Sequence, residues 1–303
     1  MKIKLFIIID HLGFGGAQRQ VVEYLKFADR DAFDIKIVNL DRDYAPLADE
    51  ITRLGVEMIG IDHRGFLNAK TLIELVRLFR KERPDIVHTY LFTADCYGRL
   101  AAKLAGIRAV ICSIRCTDLW KKWHHIVVDR MFEKFTGRII INAENMRRFL
   151  VEKEKLPSSK IVRIYNGIDL KRFENLPSSK EKRKEFDIPG DALIVGMVSR
   201  FNAQKDHETF LKAARHIVTE RDDVYFLAVG EGNNRQELEN HFRHKRIIFT
   251  GLRHDVPDLM NMMDIGVLAT HYEGCPNVVL EYMACAKPVV ATEVDGCPEL
   301  IVE

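Results

Sequence analysis

The chain has 303 residues, which is enough for two α/β domains at about 100–200 residues each. Its 46 basic and 44 acidic residues leave a net charge of +2, a balance that argues against a nucleic-acid-binding protein. No window approaches the ~20 apolar residues of a membrane-spanning helix, and the apolar run at residues 5–9 is too short for a signal peptide.

The six cysteines indicate a reducing compartment. None lies in a C-x-x-C pair, and several lie in apolar runs, as expected of reduced thiols rather than of a zinc site or a disulfide framework. We therefore expect a cytoplasmic protein that at most lies on the inner face of a membrane.

Short apolar runs alternate with longer amphipathic segments in the first half of the chain, which is typical of βα units on a parallel sheet. The predicted strands are Lys4–Ile9, Asp34–Leu40, Val56–Ile59, Ile86–His88, Ala109–Ser113 and Arg138–Ile141. The predicted helices lie near Ala17–Phe27, Ala69–Lys81, Ala94–Ala105, Lys121–Phe135 and Glu144–Glu152.

A polar stretch bracketed by Pro and Gly, residues 176–190, predicts an interdomain linker. A second βα series follows, with strands Leu193–Ser199, Val224–Val229, Ile247–Phe249, Ile265–Ala269 and Pro288–Ala291 and with helices that include Glu208–Val218 and Val278–Ala284. We predict two Rossmann-like, doubly wound parallel-sheet domains, residues 1–175 and 191–303. The second series stops early, so we expect a truncated chain that lacks roughly 30–60 residues.

A glycine-rich turn, residues 13–17 (GFGGA), follows the first predicted strand and opens a helix. Glycines there let the backbone approach a ligand, and the helix N-terminus offers N–H groups to an anion. Gln18 stands where a dinucleotide-binding fingerprint needs its third glycine. The alternative is a tight turn that binds nothing.

Two motifs of the second domain follow predicted strands. Arg200 and Lys205 come after its first strand, where open α/β sheets bind ligands and where two cations could hold a diphosphate. Glu273 and Glu281 flank a loop-to-helix junction in which Pro276 fits the first helical turn and the backbone N–H groups would face phosphate. The alternatives are ordinary surface cations, a helix cap and an exposed helix residue.

These motifs, with the Asn-Gly-Ile-Asp turn at residues 166–169, resemble the family-4 (group 1) retaining glycosyltransferases of GT-B architecture over essentially the whole chain. The resemblance implies two domains that face a cleft. It implies a nucleoside-diphosphate sugar held mainly by the C-terminal domain, an acceptor held mainly by the N-terminal one, and no obligatory metal.

The resemblance also implies roles for individual residues. Arg200 and Lys205 would contact the donor diphosphate and Glu273 the donor sugar, and these three form the predicted catalytic set. The predicted donor-binding residues are Gly15, Gly16, Arg253, Gly274, Pro276, Asn277, Val278 and Glu281. Asp295 stands where the family has the first glycine of a G-G-x-x-E segment.

One departure concerns the acceptor side. Many family members carry a histidine at the end of the strand that corresponds to Ala109–Ser113, where this chain continues to Arg115. Arg115 could bind an anionic acceptor but cannot act as a base. His88, which ends the preceding predicted strand, is the substitute candidate, and the alternative is a purely structural histidine.

A segment at residues 120–125 mixes tryptophans with basic residues and could touch an anionic membrane or a lipid-linked acceptor. The helical spacing of Trp120, Trp123, Val127 and Met131 favours core packing instead. Two D-x-D triplets, at residues 29–31 and 41–43, lie far from the donor motifs and predict turns rather than a metal site.

The function expected from the resemblance is transfer of a sugar, with retention, from a nucleotide sugar to an acceptor hydroxyl in polysaccharide or glycolipid biosynthesis. The expected partners are a nucleotide sugar and a sugar or lipid-linked acceptor, and the protein could also contact a membrane surface. The alternatives are a nucleotide-sugar epimerase of the same shape, a catalytically incomplete nucleotide-binding fragment and a dinucleotide oxidoreductase.

Overall fold

The computed structural model describes residues 2–43, 45–63 and 68–301. The chain divides into two compact units, Met1–Gly167 and Ile168–Glu303. Each unit is built on its own parallel β-sheet covered by helices.

The first unit contains a seven-stranded sheet in the order β3-β2-β1-β4-β5-β6-β7. Its strands are β1 (Ile3–Ile9), β2 (Phe33–Asn39), β3 (Glu57–Gly60), β4 (Ile86–Tyr90), β5 (Ala109–Ile114), β6 (Arg138–Ile141) and β7 (Ile161–Arg163). Its helices are α1 (Gly16–Phe27), α2 (Ala48–Arg53), α3 (Ala69–Glu82), α4 (Phe92–Ala105), α5 (Trp123–Glu133) and α6 (Glu144–Glu152). All described strand pairs in it are parallel.

Strand β1 lies in the interior of this sheet, between β2 and β4, and both of its faces are apolar. Ile7 and Ile9 pack against Leu25 and its neighbours on α1, whereas Phe6 and Ile8 belong to the core on the opposite face. The strand order reverses between β1 and β4, and the carboxyl ends of these strands form the topological switch point at which open α/β sheets bind ligands.

The second unit contains a five-stranded parallel sheet in the order β10-β9-β8-β11-β12. Its strands are β8 (Leu193–Val198), β9 (Val224–Val229), β10 (Ile247–Gly251), β11 (Ile265–Leu268) and β12 (Val289–Ala291). Its helices are α7 (Ser179–Glu185), α8 (His207–Glu220), α9 (Arg235–His241), α10 (Val256–Met262) and α11 (Asn277–Ala284). Separate apolar clusters cover the two faces of the sheet.

The residues predicted as a linker, 176–190, lie within the second unit. Helix α7 packs on α10, and the Arg183 guanidinium reaches inward to the carbonyls of Pro189 (3.2 Å) and Ala192 (2.6 Å). Ile188 is buried in the core of the unit. The boundary between the units falls after Gly167, because the chain up to β7 still pairs with the first sheet.

The expected core packing of Trp120, Trp123, Val127 and Met131 is wrong. Trp123 is 76% exposed and Met131 59% exposed. The inner face of α5 instead carries Asp129, whose carboxylate pairs with buried Arg99 (2.5 Å) and with Lys121 (2.8 Å). Since these ion pairs fix the rotation of the helix, its apolar stripe faces outward.

Candidate active site

The loop after β8 carries both predicted diphosphate-binding cations. Its backbone is folded back by Asn202, whose side chain accepts the Lys205 N–H (3.1 Å), and Lys205 bridges to Thr270 after β11. The Lys205 ammonium forms an ion pair with the Glu273 carboxylate. Arg200 lies at the start of the same loop and is exposed. Two of the three predicted catalytic residues, Lys205 and Glu273, are therefore in direct contact.

Glu273 is 7% exposed and is held at both ends. Its carboxylate also accepts the Thr270 hydroxyl (3.2 Å), and its backbone N–H donates to the Asp295 carboxylate (2.8 Å). Asp295 has a φ of 43°, a left-handed conformation that aspartate tolerates better than most residues. Asp295 thus takes a turn conformation and supports the Glu273 loop through this hydrogen bond.

Helix α11 starts one residue before the predicted bound Val278, and Pro276 lies outside the first helical turn, where the sequence had placed it. Pro276 precedes the helix with φ −72° and ψ 114°, and Asn277 is the first helical residue. This extended ψ belongs to a capping position rather than to a first turn. Gly274 and Pro276 are buried and Val278 is half-buried. The N–H groups of the first turn of α11 come directly after the Glu273 loop in the chain.

Glu281 lies on α11, which is fastened to β8. The Tyr282 hydroxyl accepts the Val198 N–H (3.0 Å) and donates to the Gly196 carbonyl (3.1 Å). The Glu281 side chain is 15% exposed, and its carboxylate lies 3.7 Å from the guanidinium of Arg172. Sequence reasoning missed Arg172, because it lies 109 positions away from its partner.

Arg253, which the family resemblance places beside the nucleotide base of the donor, follows β10. Its guanidinium binds the Asp255 carboxylate through two N–H groups (2.8 and 2.7 Å) and also pairs with Glu185 (2.7 Å). The Asp255 and Glu185 hydrogen bonds raise the pKa of this guanidinium above its ordinary value. The Arg253 guanidinium thus binds two carboxylates, and its contact with the nucleotide base of the donor remains a prediction.

Two glycines after β9 support the loop after β8, and sequence reasoning missed both. Gly230 has φ 140° and Gly232 has φ 157°, and a Cβ on either would lie 2.0 Å from the carbonyl oxygen of Ser199 or Phe201, respectively. The Phe201 N–H donates to the Glu231 carbonyl (2.9 Å). A G-x-G pair after a strand is the pattern that could have identified this close approach.

In the first unit, the predicted glycines Gly15 and Gly16 lie where α1 begins. Gly15 caps the helix in an extended conformation, and Gly16 is exposed in its first turn. One turn further, the Gln20 amide donates to the Gly167 carbonyl (2.7 Å) and accepts the Gly167 N–H (3.2 Å). The predicted Asn-Gly-Ile-Asp turn is thereby attached to α1.

Arg115 comes together with two asparagines beyond β5 and β6. Its guanidinium donates to the Asn166 side-chain oxygen, and the Asn142 amide donates to the Arg115 carbonyl (3.2 Å) and to the same Asn166 oxygen (3.4 Å). Asn142 was not predicted, because nothing in a single asparagine after a strand distinguishes it from a turn residue.

His88 lies in the middle of β4 rather than at its end, because the strand continues to Tyr90. Its Nε2 lies 2.8 Å from the Ser113 hydroxyl on β5, and its ring lies against that of Tyr90. Burial, with a smaller effect of the nearby Arg115 charge, lowers the pKa of His88 to about 3. The imidazole is therefore neutral at physiological pH, and a role at the acceptor remains a prediction.

Among the described residues, no group of three or more His, Cys, Asp or Glu side chains is arranged to hold a metal ion. Both D-x-D triplets form turns. Asp29 accepts the backbone N–H of Asp31 (2.9 Å), and Asp41 accepts that of Asp43 (3.2 Å).

Two family models match the chain. Residues 14–172 match the model described as Glycosyltransferase Family 4, and residues 192–303 match the model described as Glycosyl transferases group 1. The first match covers more than half of the chain, and the two matches follow the two units.

Individual relatives agree with this assignment. The chain is 27% identical over 297 residues to the UDP-Gal:alpha-D-GlcNAc-diphosphoundecaprenol alpha-1,3-galactosyltransferase of Escherichia coli, covering 91% of this chain and 75% of that protein. It is 24% identical over 243 residues to the capsular polysaccharide biosynthesis glycosyltransferase CapM of Staphylococcus aureus, covering 74% and 63%, respectively. The solved structure of Anabaena HepE in complex with UDP superposes with a TM-score of 0.84 at 18% identity, covering 99% and 84%.

None of the helices in the described part of the chain has the length and apolarity needed to cross a membrane. The two parallel-sheet units are those of the GT-B architecture. The chain belongs to glycosyltransferase family 4 and is a glycosyltransferase.

Proposed function

We propose that the protein transfers a sugar, with retention of anomeric configuration, from a nucleoside-diphosphate sugar to a hydroxyl of a lipid-linked acceptor. The donor binds to the second unit and the acceptor to the first. The single observation that carries this proposal is the ion pair between Lys205 and the buried Glu273 at the carboxyl ends of β8 and β11.

Around this ion pair the second unit offers what a sugar diphosphate requires. Arg200 and Lys205 supply positive charge for the leaving diphosphate, and the first turn of α11 supplies N–H groups that add to it. Glu273 can accept hydrogen bonds from sugar hydroxyls, and Glu281 from those of the ribose. The UDP bound to the Anabaena relative makes UDP the first nucleotide to test.

The proposed chemistry is displacement on one face of the sugar. The bond between the anomeric carbon and the diphosphate oxygen breaks, and the acceptor oxygen bonds to the same face of that carbon. The acceptor proton passes to an oxygen of the departing diphosphate. Glu273 is held by Lys205 and Thr270, which suits orientation and charge stabilisation rather than covalent attack.

The acceptor side rests on Arg115. Its guanidinium donates to the Asn166 side-chain oxygen, and it can bring positive charge to an acceptor site. The name of the Escherichia coli relative specifies a diphosphate-linked lipid acceptor, and an arginine at this position suits such a diphosphate. We accordingly propose that the protein works at the inner face of the membrane.

We also propose that transfer requires no metal, because Arg200, Lys205 and α11 supply the positive charge at the leaving group. Transfer in excess EDTA at the rate measured with Mg²⁺ would support this. A rate restored only by a divalent cation would contradict it.

The donor assignment is tested by thermal denaturation with a panel of nucleoside diphosphates and their sugars. A ligand that binds only the folded state raises Tm, by an amount set by RT ln(1 + [L]/Kd). We expect UDP and one or more UDP-sugars to raise Tm, and Lys205→Ala to remove the effect. If no nucleotide shifted Tm, or if the shift survived in Lys205→Ala, the proposed donor site would be wrong.

A further inference from the structure

One surface of the first unit is both apolar and basic. It consists of the outward side of α5 and the turn before it, with Leu119, Trp120, Trp123, Val127 and Met131 as its apolar members and Lys122, Arg130 and Lys134 as its cations; we call it the tryptophan face. All eight of these side chains are exposed. Large apolar patches of this kind mark sites of contact with proteins or membranes.

The members on α5 form one continuous stripe. At about 100° per residue, Arg130, Trp123, Lys134, Val127 and Met131 fall in that order within an arc of about 100°. Cations therefore interleave with apolar side chains on the same surface. Long basic side chains can lie along such a surface and keep their charges at its edge.

The tryptophan face carries more positive than negative charge. Between residues 118 and 138 the carboxylates are those of Asp118, Asp129 and Glu133. Asp118 accepts the indole N–H of Trp120 (3.2 Å) and pairs with Lys121 (3.6 Å). Asp129 is buried, and Glu133 pairs with Lys160 at 2.5 Å. The three exposed cations of the face therefore leave it positive, and it is complementary to an anionic partner.

A buried ion network holds this orientation in place. Asp129 pairs with Arg99 (2.5 Å) and with Lys121 (2.8 Å), and Lys121 also pairs with Glu154 (3.2 Å). Rotating α5 to bury Trp123 would leave these buried charges without partners, which costs several kcal/mol. The helix therefore buries charge and exposes apolar surface, and in water alone both are unfavourable.

We propose that the tryptophan face binds peripherally to an anionic lipid bilayer. Tryptophan and aliphatic side chains would enter the headgroup region, and Lys122, Arg130 and Lys134 would meet anionic headgroups. A second copy of this chain is disfavoured as the occupant, because an isologous contact would place the same cations against each other.

The link between the tryptophan face and catalysis rests on the proposed function. Arg115, the proposed acceptor contact, begins the loop that leads to Trp120 five residues later, a span of at most about 17 Å of extended chain. A sugar attached to a membrane lipid through a diphosphate would then be presented close to Arg115.

Intrinsic fluorescence offers a direct test, because the two tryptophans of the chain both lie in this face. The full chain is titrated with vesicles of phosphatidylcholine and phosphatidylglycerol and, separately, with vesicles of phosphatidylcholine alone. We expect a blue shift and co-sedimentation with the anionic vesicles, both weakened by salt. Trp123→Ala should lower the partition coefficient about ten-fold, and Lys122→Gln and Arg130→Gln about five-fold each.

Matched controls keep the test specific. Phe27→Ala removes an equally exposed aromatic side chain (69%) from α1, and Lys245→Gln removes an exposed cation from the second unit. Both should bind vesicles like the wild type. Circular dichroism and Tm verify that each variant is folded.

Three outcomes would overturn the proposal: no binding to anionic vesicles, face variants that bind like the controls, or a blue shift that depends on protein concentration without vesicles, which would indicate self-association. The UDP-induced Tm shift is measured on the same samples. Vesicle binding without a UDP shift would contradict the donor site alone, and a UDP shift without vesicle binding would contradict the membrane surface alone.

Discussion

Glu273, in the proposed donor site, is held in a fixed position by its neighbours. Its carboxylate is almost fully buried, yet it is bound by the Lys205 ammonium and the Thr270 hydroxyl, and its backbone is held by Asp295. Such fixed groups cost little reorganisation during a reaction, which is why they stabilise a transition state effectively. Removing one partner leaves the other charge buried and unpaired.

We predict that Lys205→Ala lowers kcat by about 10²–10³-fold, because it removes positive charge at the departing diphosphate. Glu281→Ala should also lower turnover by orders of magnitude, through loss of the ribose contact. Initial rates of sugar transfer are the measurement. Lys212→Ala, an exposed lysine on the following helix, is the control and should keep wild-type turnover. Wild-type rates in Lys205→Ala or Glu281→Ala would refute the corresponding role.

Asp10 is a second residue whose surroundings change its chemistry, because burial raises the pKa of its carboxyl group. It follows β1 at the topological switch point and accepts the N–H groups of Thr93 and Ala94 at the start of α4. Burial, only partly offset by these hydrogen bonds, raises its pKa from 3.8 to about 6. The folded state therefore holds a proton more tightly than the unfolded chain, so stability falls as pH rises from about 4 to 6.

Asp10→Asn should remove the pH dependence, but it leaves one of the two N–H groups facing an amide NH2, which adds a pH-independent cost. For a pKa shift of this size we expect the stability of the variant relative to the wild type to be up to about 3 kcal/mol more favourable at pH 8 than at pH 4. The midpoints of urea unfolding of both proteins at pH 4 and pH 8 provide the comparison. An equal difference at the two pH values would show that the carboxyl group does not titrate as the structure indicates.

At the scale of elements, the donor site depends on two loops that fit against each other. The loop after β8 approaches Gly230 and Gly232 so closely that a Cβ at either position would overlap a carbonyl oxygen. Beneath that loop, the His207 ring stacks on Phe201 at 3.8 Å and lies 3.1 Å from the Ser199 hydroxyl. The conformation of the cation-bearing loop thus depends on the close approach of Gly230 and Gly232 as well as on its own Asn202.

Gly232→Ala should therefore displace this loop. We expect a loss of at least about 2 kcal/mol in stability, from backbone strain and steric overlap, and loss of the UDP-induced Tm shift. Gly190→Ala is the matched control, because a Cβ there meets no atom within 4 Å. If Gly232→Ala bound UDP like the wild type, donor binding would not depend on the conformation of this loop, and the hypothesis would be wrong.

At the scale of the whole molecule, the two units carry different halves of the proposed reaction. The proposed donor residues, Arg200, Lys205, Glu273 and Glu281, belong to the second unit, whereas Arg115 and the tryptophan face belong to the first. Each unit has its own sheet and core, so a ligand can stabilise one without direct contact with the other.

This division predicts the pattern of amide hydrogen exchange with and without UDP. Protection should increase in residues 199–206 and 273–281, because ligand binding suppresses local opening of the segments that it contacts. Residues 116–131 should exchange at an unchanged rate with UDP alone and become protected with anionic vesicles. Protection by UDP confined to the first unit would reverse the donor and acceptor assignments.

Much of the fold was predictable from the chain alone. The predicted bounds of β1, β8, β9 and α6 lie within about one residue of the observed ones. Apolar runs and the amphipathic period can be recognised in a short stretch of sequence, without knowledge of the tertiary contacts. Strand β7 and helices α2 and α7 were missed, and α9 and α10 were expected between strands without bounds, because segments of three to seven residues are too short to show a clear period.

The candidate site divides in the same way. Lys205 and Glu273 follow predicted strands, and Glu281 lies in the helix after the second of these strands. The resemblance to family-4 glycosyltransferases, rather than the local pattern alone, singled out the three as donor contacts. Only the tertiary structure decided that Lys205 meets Glu273, that Arg253 is occupied by two carboxylates, and that Trp123 faces outward. The physical reason is that ion pairs form between side chains many residues apart, and a helical period cannot tell an inward stripe from an outward one until the partners of Asp129 are in place.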